Sequence, residues 1–174
     1  MKRHVVLAAL LLAPAVLAPP ALAATAEEAV GYAFFGLAAG GSLTRGTTTM
    51  NWTESGASPA IFESEATVKG RPAKLKFTVT ASDPCHYQVD LDGPPAMVPG
   101  GHSLYARISL AELTHITPAE SGYGITFDGD GFCQTNPVNP KCQPIGSTDL
   151  LAKIDSARHA ETVTFLAGIC APKP

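Results

Sequence analysis

Two acidic turns, Asp90-Leu91-Asp92-Gly93 and Asp128-Gly129-Asp130-Gly131, place paired carboxylates beside glycines in this 174-residue chain. Calcium takes about six to eight oxygen ligands, and glycine permits the sharp turn that wraps neighbouring carboxylates round a hard cation. Neither turn completes an EF-hand loop, which needs a further ligand position and a closing glutamate. Asp90, Asp92, Asp128 and Asp130 are therefore candidate ligands of a calcium-stabilised structural module, although Asp-Gly is also a common turn dipeptide.

A second constellation is His102-Ser103, which follows Gly100-Gly101 and brings a base and a hydroxyl to a loop mouth. It supports a small extracytoplasmic hydrolase as a further alternative. The local signatures of hydrolases, zinc proteases and nucleotide sites are missing, because no Gly-x-Ser-x-Gly, His-Glu-x-x-His, P-loop or Gly-x-Gly-x-x-Gly occurs. His86, on the outward side of its strand, and His159, on the last helix, read as solvated.

Four cysteines, Cys85, Cys133, Cys142 and Cys170, lack the C-x(2–4)-C spacing of a zinc site. Their even number fits two disulfides in an oxidising compartment. If the strands form a simple meander, Cys85 and Cys133 stand roughly 20 Å apart, using about 3.3 Å per residue and 4.8 Å per strand. A disulfide needs Cα atoms within about 7 Å. The remaining neat solution is Cys133 with Cys142, closing a loop that holds two Asn-Pro steps, and Cys85 with Cys170.

The compartment is announced at the start of the chain. Met1-Lys2-Arg3-His4, an apolar run from Val5 to Ala18 and Ala21-Leu22-Ala23 have the form of a secretory signal cleaved after Ala23. The run is shorter than the roughly 20 residues of a membrane span. Residues 24–174 are expected to form one exported domain, periplasmic or secreted, with no membrane anchor. Loss of Lys2 and Arg3 takes the formal net charge from −3 to −5. An acidic surface of that kind argues against nucleic-acid binding, which needs clustered Lys and Arg.

The elements that must position these groups follow from periodicity. Thr25-Ala26-Glu27-Glu28 has capping-box form, and Ala26, Val30, Ala33, Phe34 and Leu37 recur at helical spacing up to Gly40-Gly41. A helix over residues 26–38 is expected. Period-two alternation then marks strands through Leu75 and Phe77, Tyr87 and Val89, Ala106 and Ile108, and Ile125 and Phe127, with weaker ones through Trp52 and Phe62. In the second hairpin, pairing Val68 with Ala73 sets Glu65 opposite Lys76. Asp155 or Ser156 can cap a final helix whose Ala160, Val163, Leu166, Ala167 and Cys170 share a face. The fold class is α+β: an N-terminal helix, a mainly antiparallel, meander-like sheet of five or six strands, and a C-terminal helix on the same sheet face.

The functional expectation is a non-enzymatic binding protein that engages a protein or small ligand, with no cofactor beyond a possible calcium ion. Met97 and Val98 set apolar groups in the Gly93–Gly101 loop, where solvent is expected. His102, Tyr105 and Arg107 belong to the loop mouth and the polar outer sheet face. These five are the candidate binding residues.

Overall fold

The computed structural model describes residues 25–46, 48–68, 71–135 and 141–171. The signal peptide expected at residues 1–23, the Lys69-Gly70 turn and both Asn-Pro steps lie outside them.

Helix α1 (Ala26–Phe35) starts at the expected capping box, where Thr25 Oγ1 accepts from Glu28 N at 3.2 Å and Glu28 Oε2 accepts from Thr25 N at 2.7 Å. It ends at Gly36 rather than Gly40. Gly36 adopts φ 71°, and a Cβ there would run into the Ala152 backbone, so glycine stops the helix one turn early. A single apolar stripe was expected, yet every residue from Ala29 to Phe35 is buried. Protein surrounds the helix on all sides.

Eleven strands are seen among the described residues, more than the expected five or six. They are β1 (Ser42–Arg45), β2 (Thr48–Ala57), β3 (Ala60–Val68), β4 (Arg71–Asp83), β5 (His86–Asp92), β6 (His102–Ser109), β7 (Leu113–Pro118), β8 (Gly124–Gly129), β9 (Phe132–Gln134), β10 (Gln143–Pro144) and β11 (Ser147–Asp149). The larger sheet runs β1-β2-β3-β4-β5-β6-β9-β10 and the smaller β11-β8-β7, with every pairing antiparallel. The meander holds through β6. There the chain leaves, builds the β7–β8 hairpin of the second sheet and returns as β9 beside β6. The strand through Ile125 and Phe127, expected next to β6, is β8 of the other sheet.

The Asp128–Gly131 turn is the corner of that excursion. Gly129 has φ 99° and its Cα faces the Glu112 backbone, while a Cβ on Gly131 would meet the Ser109 carbonyl. Both glycines are demanded by close backbone approach at this corner, independently of any ion.

Alternation did select the core. Leu75, Phe77, Val89 and Ile108 all point inward and are buried. Phe132 stacks on Phe34 at 5.8 Å between ring centroids and lies 4.5 Å from Phe127, so α1 and both sheets meet at one aromatic cluster. Trp52, from a strand with weak alternation, is as buried as these and stands edge-on to Phe77 at 5.5 Å. In the β3–β4 hairpin Glu65 faces Lys74, at 2.9 Å, instead of Lys76. Val68 pairs with Arg71 in place of Ala73, and a shift of two keeps the strand's alternation on the same faces.

Helix α2 (Ser156–Cys170) is capped by Asp155, whose carboxylate accepts from Arg158 N at 2.8 Å. Its buried residues are His159, Thr162 and Leu166, a face rotated from the expected one; Ala160 and Ala167 are exposed. Thr162 and Thr164 return their hydroxyls to the carbonyls of Arg158 and Ala160, which satisfies them within the helix. The helix packs chiefly on α1 rather than on the sheet. Its far end is bonded to the β4–β5 turn by Cys85–Cys170, and Cys133–Cys142 joins β9 to the approach of β10. These are the two pairs anticipated from sequence, although Cys133 sits in β9, opposite Arg107, two strand spacings and three residues along from Cys85, or roughly 14 Å. The two disulfides fit an extracytoplasmic setting. Among the described residues no helix is long and apolar enough to cross a membrane.

Candidate functional site

Strand β6 carries the central feature. Val89 pairs with Ala106 and Asp90 with Leu104, leaving Tyr105 as the extra residue of a β-bulge. The bulge reverses the expected orientation of Tyr105. Its ring turns into the molecule, 5.0 Å from Phe77 and 5.6 Å from Phe35, while Arg107 keeps its place on the exposed outer face. Burial pushes the Tyr105 hydroxyl above its ordinary pKa; the Gln134 hydrogen bond and the Arg45 charge pull it down, and Asp149 pushes it up.

Tyr105 and Gln134 line two neighbouring cavities. One, of about 340 Å³, is bounded by Leu91, Met97, Val98, Ser103, Thr135 and Ile145, among others. The second, of about 560 Å³, opens between β1, β8 and β11, with Arg45, Thr126, Ser147, Thr148 and Asp149 on its walls. Both lie within the range common for small-ligand sites. Gln134 is held from the other side by Thr148 Oγ1, at 3.5 Å, and Thr135 is fixed by its hydroxyl bond to the Leu104 carbonyl.

Three of the five candidate binding residues, Met97, Val98 and Tyr105, therefore share one cavity. Val98 was expected in solvent but is 1% exposed, since the Gly93–Gly101 loop folds back on itself: Val98 N donates to Pro94 O at 2.9 Å, and Gly101 N to Val98 O at 2.8 Å. Met97 stays exposed. His102 and Arg107 are on the outer face, away from this cavity. His102 also parts from Ser103, because adjacent strand residues face opposite ways: His102 bonds Asp92 at 2.6 Å and Ser103 lines the inner cavity. A dyad between them is not formed.

The outer face holds a concavity of about 600 Å³, edged by Glu63, Glu65, Lys74, Lys76 and Asp92. Its charges answer one another across the register. Lys76 Nζ lies 2.7 Å from Asp92, and that ammonium, with His102 assisting, holds the Asp92 carboxyl below its usual range. Asp90 accepts from Gln88 Nε2 at 3.0 Å, and Asp128, in the other sheet, lies 3.4 Å from His115. The four aspartates are not brought together. Among the described residues no group of three or more His, Cys, Asp or Glu side chains is arranged to hold a metal ion.

A titratable cluster that sequence gave no sign of joins α1, β2 and α2. Burial, then the hydrogen bond and charge of Glu28, push Glu54 up to about 7, with Arg158 opposing. The Arg158 guanidinium lies 4.2 Å above the Tyr32 ring, and the Tyr32 hydroxyl accepts from Asp155 N at 3.0 Å. His159, expected in solvent, is buried with Nε2 3.1 Å from the Ala33 carbonyl, and burial lowers its pKa. That short bond between helices is why α2 turns its histidine inward.

No protein-family model matches this chain, and neither does any curated protein or solved structure.

Proposed function

We propose that the chain is a non-enzymatic binding protein of the periplasm or the extracellular medium, and that it takes a small organic ligand in the cavity edged by the Gly93–Gly101 loop. The observation that carries this reading is the β6 bulge, which spends a ladder position to aim a phenol inward at a cavity instead of continuing the strand. The ring is locked between Phe35 and Phe77, so little rotamer freedom is left to lose on binding. Apolar walls from Leu91, Val98 and Ile145 are interrupted by the hydroxyls of Ser103 and Thr135 and the amide of Gln134, the mixture by which small-molecule sites combine burial with orientation. Export is supported by the leader-like residues 1–23 and by both cysteine pairs being closed.

The test is a fragment screen read by amide chemical shifts. Binders are expected to move Ser103, Gln134 and Thr135 together and to lose about tenfold in affinity in Gln134→Ala or Tyr105→Phe. Hits that move only outer-face residues around Arg107 and survive both substitutions would reject the cavity as the binding site.

A further inference from the structure

The second chamber differs from the first in one respect that specifies a ligand: it carries a cation and an anion side by side. Arg45, at the end of β1, and Asp149, at the end of β11, meet through a single Nη2–Oδ2 contact at 3.2 Å across the gap between the two sheets. Their side chains are 61% and 80% exposed. A pair so exposed contributes little to stability, and exchanging partners costs the fold little. Among the described residues, the chamber on the other side of Tyr105 has no charged side chain on its walls.

Resting on the cavity reading above, we propose that the ligand is a zwitterion with an uncharged side chain, an amino acid or short peptide, whose carboxylate takes Arg45 and whose ammonium takes Asp149. A guanidinium binds a carboxylate best through two parallel N–H···O bonds, a geometry that Asp149 does not supply through its one contact. The displaced Asp149 carboxylate is then the acceptor for the ammonium. A purely anionic ligand would have to sit beside Asp149 and a purely cationic one beside Arg45, and like-charge neighbours reject both. The side chain then extends past Tyr105 and Gln134, which border both chambers, into the neutral one. A charged side chain there would surrender its hydration without a counter-ion. Leu91, Val98 and Ile145 favour aliphatic groups, and Ser103 and Thr135 accommodate an amide or hydroxyl.

Titration calorimetry on the folded chain with L-leucine, N-acetyl-L-leucine, L-leucinamide and N-acetyl-L-leucinamide tests this. Leucine is expected to bind at least tenfold more tightly than each derivative. Arg45→Ala and Asp149→Ala are expected to erase that preference while leaving weak binding of the neutral derivative unchanged. If the neutral or a singly charged derivative matches leucine, the zwitterion assignment is overturned and the cavity reading stands. If none of the four binds while cavity-directed fragments do, the ligand class is wrong. If neither they nor any fragment reaches the cavity, both conclusions fall. Both charges are at the surface, so circular dichroism of the two variants should match the parent, and the derivative series on the parent decides the matter even if one variant misfolds.

Discussion

Glu54 and His159 show how single side chains set the response of this fold to pH. In the folded chain Glu54 keeps its proton to about 7, against 4.5 when exposed. Between those values the folded state binds more protons than the unfolded one, so this group's contribution to stability falls as pH rises through the window. Glu54→Gln retains a donor toward Glu28 and removes the ionisation. Its melting midpoint relative to the parent is expected to climb between about pH 4.5 and 7 and then level off; a constant difference across that range would refute the shared proton. His159 has the opposite sign. Burial lowers its pKa below 6.5, so the folded state binds fewer protons and stability is lost as pH drops below about 6.5. His159→Gln keeps a donor for the Ala33 carbonyl and should flatten that acid limb in the same melting series.

Elements are governed here by local backbone demands that alternation cannot express. Gly129 combines a left-handed φ of 99° with a Cβ path blocked by the Glu112 backbone. Gly129→Ala should therefore cost about 1–3 kcal/mol or more, read from the denaturant midpoint. Asp128→Asn next to it, with an exposed side chain, should change the midpoint little. The two results together separate a backbone corner from a carboxylate site. Leu75, Phe77, Val89 and Ile108 were legible because the β4–β6 meander has one wet and one dry face for several consecutive pairs. Tyr105 was not, since a bulge adds one residue without changing the residue types around it. Strands β1, β9, β10 and β11 were missed because they span four residues or fewer and alternation needs length to show, and β7, as long as β8, was missed because its Leu113 and Ile116 stand three apart instead of two. The cavity shared by Met97, Val98 and Tyr105 was legible only as separate residues, two on a loop and one on a strand. The Arg45–Asp149 contact joins positions 104 residues apart and left no local signal.

At the scale of the whole molecule the two disulfides are unequal. Cys85–Cys170 spans 85 residues and Cys133–Cys142 spans 9. Chain-entropy reasoning gives about 4–5 kcal/mol for the longer closure and about 2–3 kcal/mol for the shorter. Paired Cys→Ser replacement at 85 and 170 is therefore expected to lower the urea midpoint more than replacement at 133 and 142. Equal losses would show that strain or residual unfolded structure outweighs loop length. The all-round burial of α1 has a further consequence in time. Synthesis delivers those seven buried residues before their cover: the β9 ring that stacks on Phe34 arrives almost a hundred residues later, and Leu166 of the covering helix later still. Until those partners arrive α1 must wait, greasy and unsheltered, so whatever escorts the nascent chain has most reason to hold α1 until α2 has been made.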